Sequence, residues 1–184
     1  MNLPNALSTS RAFVLPVILL ILYFWGSTRT ARIAADALFI GAALTDFLDG
    51  YLARKQHLVS DLGVFLDLTA DKTLVGGILI GLVAFHEVAA WIAIVIVVRE
   101  FIVTGLRSYA AACGWVIAAR AGGKLKTVVT LLALAGLIAG NTPVHTLATV
   151  FLWLAAVLTV LSGAQYCFDA APMLMKRSVV IEKK

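Results

Sequence analysis

Six long apolar runs dominate the sequence and limit the chain to one class of fold. They lie near residues 12–27, 32–52, 62–85, 88–111, 126–141 and 145–168. A transmembrane helix needs about 20 mainly apolar residues, and the segments between the runs carry the Gly, Pro and polar residues that turns require. Hydrophobic residues make up 61% and charged residues 14% of the chain, against roughly 45–50% and about 25% in soluble domains. We therefore expect an all-α integral membrane protein, a bundle of six transmembrane helices.

The chain has little room for anything besides this bundle. Residues 2–10 precede the first run, and they lack the basic stretch that begins a signal peptide. We expect them to form a short N-terminal interfacial helix that leads into the first span. The connections are too short to be domains, so residues 1–184 should form a single membrane domain.

The distribution of basic residues predicts the orientation in the membrane. Most of them lie before the first run or after the second, fourth and sixth runs, while Arg29 and Arg32 lie on the other side. Because cytoplasmic loops carry an excess of Lys and Arg, we expect both termini to be cytoplasmic, in a multi-pass protein of the cell's inner membrane. The net charge of +5 does not indicate nucleic-acid binding, since no basic run is interleaved with aromatic residues.

Residues 45–72, TDFLDGYLARKQHLVSDLGVFLDLTADK, place carboxylates within apolar stretches. We call them the aspartate segment. Asp46 and Asp49 fall in the last turns of the second predicted helix, and Asp67 and Asp71 in the first turns of the third. The spacings i,i+3 and i,i+4 put each pair on one helix face, and the orientation puts all four at one membrane depth. Asp61 follows the connection directly and is interpreted as a solvated or helix-capping residue.

Four aspartates in a membrane protein need compensation. Each ionised aspartate costs roughly 2.5–3.5 kcal/mol near the bilayer centre, and only Arg54 and Lys72 are close in sequence. Oxygen ligands without His or Cys favour Mg²⁺, Mn²⁺ or Ca²⁺, and four carboxylates can hold two such ions. An ion pathway or a structural salt-bridge cluster is the alternative. Gly50, Ala53 and Gly63 favour the metal site, because small residues let a bulky ligand approach the backbone.

The aspartate segment also follows a defined pattern. From Asp46 to Asp71 it reads D-x2-D-G-x2-A-R-x8-G-x3-D-x3-D, with every fixed position occupied. This pattern resembles the signature of the CDP-alcohol phosphatidyltransferases, integral membrane enzymes that join a CDP-activated group to an alcohol and release CMP. The resemblance implies a site for two divalent cations, Mg²⁺ or Mn²⁺, and a general base. The implied metal ligands are Asp46, Asp49, Asp67 and Asp71, of which Asp71 is also the catalytic base. The implied CDP-lipid contacts in this segment are Gly50, Ala53, Arg54, Ser60 and Gly63.

The histidines give no support to a covalent route. None of His57, His86 and His145 is followed by lysine two residues later, as a phospholipase-D-type motif requires. Each is interpreted as a loop or interface residue. We therefore expect the acceptor alcohol to attack the phosphorus of the CDP-lipid directly.

Basic residues outside the aspartate segment indicate a phosphorylated acceptor. The candidate phosphate ligands are Arg99, Arg107, Lys124 and Lys126. An arginine near the membrane edge needs an anion, and a phosphate on the acceptor supplies one for forked arginine donors and lysine point charges. Two alternatives stay open: Arg99 and Glu100 could pair with polar neighbours, and the lysines could be topology determinants.

The N-terminal sequence narrows the resemblance to one branch. PN-x-L-S-x-x-R, ending at Arg11, is similar to the PN-x-L-T-x-x-R opening of the phosphatidylglycerophosphate synthase branch. That likeness implies CDP-diacylglycerol and sn-glycerol 3-phosphate as substrates, with Asn5 and Ser8 bordering the CDP-lipid. Inositol phosphate, serine or phosphatidylglycerol as acceptor is the alternative within the family, and a divalent-cation transporter the alternative outside it. Members of the family are commonly homodimers, and Gly77 and Gly81 have the spacing of a helix-packing motif.

Overall fold

The structure, a computed structural model, consists of six helices in the part of the chain that it describes. It describes the backbone of residues 3–55, 61–115, 121–140 and 142–181, and the side chains of residues 13–45, 69–115, 122–140 and 143–171. The helices are α1 (Leu3–Trp25), α2 (Arg29–Lys55), α3 (Asp61–Ala84), α4 (Ala90–Ala112), α5 (Ala121–Ala139) and α6 (Thr142–Ile181).

Each predicted apolar run forms one of these helices, so the all-helical prediction is confirmed. The prediction of a short helix ahead of the first span is wrong, because residues 3–25 form one continuous helix. No glycine or proline lies between Asn5 and Leu15, so nothing interrupts the backbone hydrogen bonding between the polar first turns and the apolar ones.

The outside of the bundle is apolar. Large side chains such as Phe13, Ile80, Phe101 and Phe168 are more than 60% exposed, and soluble monomers rarely expose so much apolar surface. Within the described residues, Gly122–Ala139 and Pro143–Ala171 are long and apolar enough to cross a bilayer. Together with the composition, this surface identifies a membrane protein.

Helix α1 contacts both helices that carry the aspartate segment. It packs against α2 and α3, while α5 packs against α2 and α6, and α4 against α3 and α6. The glycine pair of α3 belongs to the first of these contacts, because a Cβ atom at Gly77 or Gly81 would overlap the side chain of Leu15 or Leu19 on α1. The Gly77/Gly81 motif therefore packs within the chain.

One apolar core joins all six helices. It includes Ile18, Phe39, Ile78, Ile96 and Leu134, each at most 1% exposed, and continues to Leu152 on α6. Helices in lipid associate largely through close packing, so this interdigitated core holds the relative positions of the helices and of the polar groups between them.

The bundle has two ends with different polar groups. At the end where α2, α4 and α6 begin, which we call the Glu87 end, Glu87 Oε1 accepts a hydrogen bond from Arg32 at 2.7 Å and Glu87 Oε2 lies 2.7 Å from His145 Nε2. Arg32 Nε also donates to the Gly26 carbonyl at 2.7 Å. Burial raises the pKa of Glu87, but the hydrogen bonds and charges of Arg32 and His145 outweigh it, so the pKa lies below its ordinary value of 4.5.

The Glu87 end also depends on a glycine. Gly140, directly after α5, has φ +64°, which glycine adopts without strain. A Cβ atom there would overlap the Arg32 side chain.

The other end, where α3 and α5 begin and α2 and α4 finish, contains the aspartate segment, and we call it the aspartate end.

Candidate active site

The helices place the aspartate segment as the sequence predicts, at the end of α2 and the start of α3. The backbone is helical through Asp46 and Asp49 and again through Asp67 and Asp71. On a helix, positions at these spacings share one face. The side chains of Asp46, Asp49 and Asp67 lie outside the described residues, and only that of Asp71 is described.

The predicted CDP-lipid contacts also fall largely outside the described side chains. Gly50, Ala53 and Arg54 lie in the last turns of α2, and Gly63 in the first turn of α3. Asn5 and Ser8 lie in the first turns of α1. For these six residues the structure gives the backbone alone, and Ser60 lies outside the described residues altogether.

Asp71 lines a cavity between α3, α4 and α5. The cavity holds about 30 Å³, room for about two waters. Its polar lining comes from Asp71 and Lys72 on α3, Glu100 on α4, and Lys126 with two threonines on α5. Its apolar lining includes Val75, Leu79, Ile96, Val97 and Phe101. The predicted base and one of the predicted acceptor ligands, Lys126, therefore meet at one cavity.

The threonines of this cavity use their hydroxyl protons within α5. Thr130 Oγ1 donates to the Lys126 carbonyl at 2.8 Å, and Thr127 Oγ1 to the Gly123 carbonyl at 3.1 Å. Their oxygens can still accept a hydrogen bond. The cationic donors among the described lining residues are accordingly the two lysines, Lys72 and Lys126.

Glu100 and Lys126 form the central ion pair of the site. Lys126 Nζ lies 2.6 Å from Glu100 Oε1, and the side chain of Lys126 is only 5% exposed. A buried lysine requires an anionic partner, and α4 supplies it across the cavity. The pairing alternative that the sequence left open for Arg99 and Glu100 is thus the arrangement in the structure.

Arg99 orients Glu100 from the other side. Arg99 Nη1 donates to the same Glu100 Oε1 at 2.8 Å, and Arg99 Nη2 donates to Ser162 Oγ on α6 at 2.9 Å. The guanidinium carbon also lies 5.7 Å from the ring centre of Tyr166, within the range of a cation–π contact. The predicted phosphate ligand Arg99 thus binds protein groups on α4 and α6.

A glycine of α6 makes this contact possible. A Cβ atom at Gly163 would lie 3.0 Å from Arg99 Cγ, closer than side chains normally pack. The signal for this anchor was present in the sequence as Ser162, Gly163 and Tyr166, since the spacing i,i+4 places the serine and the tyrosine on one helix face.

The other two predicted acceptor ligands lie at the surface. Arg107, two turns after Arg99 on α4, is exposed, and so is Lys124 near the start of α5. Both helices direct these residues toward the aspartate end, where an acceptor phosphate would arrive. The four predicted basic residues therefore divide into an internal pair, Arg99 and Lys126, and an exposed pair.

The chemistry of the aspartate segment fits divalent cations. Its four carboxylates supply hard oxygen ligands, and the backbone is helical at both pairs of aspartates. Among the described side chains there is no group of three His, Cys, Asp or Glu that could hold a metal ion. That finding does not cover Asp46, Asp49 and Asp67, whose side chains would be needed for the group.

Comparison with known proteins agrees with the family that the aspartate segment indicates. The family model for CDP-alcohol phosphatidyltransferase matches residues 1–161; the family generally depends on divalent metal ions. A protein of Bacillus subtilis (strain 168) named CDP-diacylglycerol–glycerol-3-phosphate 3-phosphatidyltransferase is 42% identical over 179 residues, covering 90% of this chain and 93% of its own. A protein of Mycobacterium tuberculosis named probable phosphatidylglycerophosphate synthase is 40% identical, covering 90% of this chain and 79% of its own.

A solved structure shows the same fold. The crystal structure of Mycobacterium tuberculosis phosphatidylinositol phosphate synthase in its apo form aligns with a TM-score of 0.64 and covers 90% of this chain and 87% of its own. The sequence identity is 20%, so this likeness concerns the fold. Together, the family match over most of the chain and the two relatives show that the chain belongs to the CDP-alcohol phosphatidyltransferase family.

Proposed function

We propose that the protein transfers the phosphatidyl group of CDP-diacylglycerol to sn-glycerol 3-phosphate, which gives phosphatidylglycerol phosphate and CMP. The observation that carries the proposal is the cavity where Asp71, from the family's signature, meets the buried cation Lys126. The names of the relatives at 37–42% identity support the choice of substrates.

Asp71 is the general base in this proposal. Its carboxylate takes the proton of the acceptor hydroxyl, and the hydroxyl oxygen then bonds to the phosphorus that carries the diacylglycerol. The bond from that phosphorus to the oxygen bridging to CMP breaks, and CMP leaves with the bond's electron pair. Asp71 lies in a cavity that α3, α4 and α5 enclose on three sides, so it can be held in position for this transfer.

The residues that would hold two divalent cations, Mg²⁺ or Mn²⁺, are Asp46, Asp49, Asp67 and Asp71. Such ions, when bound, would neutralise the diphosphate charge and so favour departure of CMP. The aspartates themselves fix the position of the site at the aspartate end, since two lie in the last turns of α2 and two in the first half of α3.

The remaining predicted residues bind the two substrates. The CDP-lipid contacts are Asn5, Ser8, Gly50, Ala53, Arg54, Ser60 and Gly63. The acceptor phosphate lies between Lys126, which lines the cavity, and Arg107 and Lys124, which are exposed at the aspartate end, while Arg99 acts through Glu100. This division follows from the burial of Lys126 and the exposure of Arg107 and Lys124.

The membrane arrangement belongs to the same proposal. The six helices span the cell's inner membrane in one domain over residues 1–184, with both termini and the aspartate end cytoplasmic. Basic residues in the last turn of α2 and after α4 support this orientation. Glycerol 3-phosphate and the nucleotide would then arrive from the cytosol, and the acyl chains from the lipid. We also propose a homodimer, which rests on the resemblance to the family.

An acceptor panel tests the proposed function. Purified protein with CDP-diacylglycerol and Mg²⁺ or Mn²⁺ should release CMP with glycerol 3-phosphate, and not with serine, inositol phosphate or phosphatidylglycerol. Asp71→Asn should lower the rate by about 10²–10⁴-fold, since general-base catalysis contributes about that much. Asp36→Asn, on α2 but outside the aspartate segment, is the matched control and should stay active.

Two outcomes would replace the proposal. Activity with serine or another alcohol in place of glycerol 3-phosphate would change the acceptor and keep the family chemistry. Divalent-cation flux in liposomes without CDP-lipid, together with no CMP release from any acceptor, would indicate a transporter.

A further inference from the structure

The two oxygens of the Glu100 carboxylate have different surroundings. Oε1 accepts hydrogen bonds from Lys126 at 2.6 Å and from Arg99 at 2.8 Å. Both bonds that Glu100 makes with described side chains end on this one atom. None of the hydrogen bonds from described side chains ends on Oε2, which belongs to a side chain that lines the cavity with Asp71.

The position of Glu100 is fixed by three helices. Arg99 is anchored on Ser162 and Tyr166 of α6, and Lys126 approaches from α5. A carboxylate held by two cations keeps its charge and its direction, so its second oxygen is a fixed hydrogen-bond acceptor. A hydrogen-bond acceptor in a cavity binds a hydrogen-bond donor, and the hydroxyl groups of the substrate alcohol are such donors.

We propose that Glu100 determines acceptor specificity, its Oε2 accepting a hydrogen bond from the secondary hydroxyl of glycerol 3-phosphate while the primary hydroxyl is presented to Asp71. This inference rests on the proposed function and adds a residue to it. It also gives separate tasks to the two carboxylates of the cavity, since Asp71 takes a proton and Glu100 recognises a neighbouring hydroxyl.

The expected selectivity has a definite size. A hydrogen bond to a charged group contributes enough to change the specificity constant by about ten- to a hundredfold. A site built to bond a substrate hydroxyl rejects the analogue that lacks it, because its own polar group is then left unpaired. Wild-type protein should therefore prefer glycerol 3-phosphate over 3-hydroxypropyl phosphate, which retains the phosphate and the primary hydroxyl and lacks the secondary one.

The test compares kcat/KM for these two acceptors in wild type and in Glu100→Gln. In the variant the amide oxygen still accepts from Arg99 and Lys126, which turns the amide nitrogen, a neutral donor, toward the cavity. The preference for glycerol 3-phosphate should fall about tenfold or more, mainly through KM for glycerol 3-phosphate, because a neutral bond replaces one to a charge. Glu87→Gln is the matched control, a glutamate that also pairs with an arginine but at the Glu87 end, and it should leave the preference unchanged.

Equal losses for both acceptors in Glu100→Gln would overturn the proposal, because they would show that Glu100 only neutralises Arg99 and Lys126. If Glu100→Gln does not fold, Glu100→Asp, which retains the charge and shortens the reach, should lower the same preference, and an unchanged preference there would overturn it as well. Failure of the proposed function has a different signature, since wild type would then release no CMP with either acceptor.

Discussion

Lys126 and Arg99 share a single oxygen atom of Glu100, at 2.6 and 2.8 Å from Glu100 Oε1. The two cations come from different helices, so the carboxylate connects α4 to α5 directly and to α6 through Arg99 and Ser162. The Glu100 network is consequently assembled by α4, α5 and α6, which contain none of the signature aspartates.

Removal of Lys126 should destabilise the protein. Lys126→Met leaves Glu100 with Arg99 alone in a partly buried position, and breaking a buried ion pair costs about 3–5 kcal/mol. With Arg99 still bound, we expect a loss of about 3 kcal/mol in unfolding measured in detergent. Lys124→Met, the exposed lysine two residues earlier, is the control and should change stability little; equal losses in the two variants would contradict the prediction.

Substitution of Arg107 should affect acceptor binding. Arg107→Ala removes an exposed cation at the aspartate end, and we expect KM for glycerol 3-phosphate to rise about tenfold with little change in kcat, as for loss of one charge-assisted bond. Steady-state kinetics at saturating CDP-diacylglycerol would measure it. An unchanged KM would assign the acceptor phosphate to Lys126 and Lys124. Arg107→Lys keeps the positive charge, so its KM should rise less than that of Arg107→Ala.

Alanine at Gly140 should be more destabilising than alanine at Gly114. Both glycines have positive φ, +64° and +77°, and a non-glycine residue in the left-handed region costs about 1–2 kcal/mol. At Gly114 no atom of the described residues, apart from its neighbours in the chain, lies within 4 Å of an added Cβ, whereas at Gly140 the Cβ would overlap Arg32. Thermal unfolding of the two variants should therefore show the larger loss for Gly140→Ala, and equal losses would mean that Arg32 moves without cost.

Acid should weaken the Glu87 end. The pKa of Glu87 lies below 4.5 in the folded protein, because the hydrogen bonds and charges of Arg32 and His145 outweigh its partial burial. A carboxyl with a lowered pKa stabilises the fold above its unfolded pKa, and that contribution is lost as pH falls through the folded value. Stability should thus fall below about pH 4.5, and Glu87→Gln should be less stable at pH 7 yet show a shallower loss in acid. Unfolding in detergent between pH 7 and 3 would measure this, and parallel curves for both proteins would contradict it.

The sequence predicted the helices, including the two that carry the aspartates, because helices of this kind depend on local periodicity. Hydropathy alone located six helices, and the spacing of Asp67 and Asp71 placed them on one face of α3 once that helix was assigned. The residue pattern of the aspartate segment also identified the family. Each helix, and the aspartate segment, is encoded within a short stretch of consecutive residues, so no knowledge of the packing between helices was needed.

The polar networks could not be predicted, because their partners are distant in sequence. Arg32 and Glu87 are 55 residues apart and Glu87 and His145 are 58 apart, and nothing in the hydropathy of their segments pairs them. The same holds for Arg99 and Ser162, which are 63 apart. The spacing of Gly77 and Gly81 was considered together with a homodimer, whereas in the structure the two glycines pack against α1 of the same chain, because which helix approaches depends on the whole bundle.

The polar contacts of Glu87 with Arg32 and His145 connect the start of α2, the turn after α3 and the start of α6. Arg32 also donates a hydrogen bond to the turn that follows α1. A lipid with two acyl chains has to pass sideways between helices to reach the interior. Since parting the helices at the Glu87 end would break several short polar bonds at once, we expect that end to act as a pivot. The gap between helices that admits the lipid should then be widest at the opposite end of the bundle, in the leaflet where the lipid's headgroup lies.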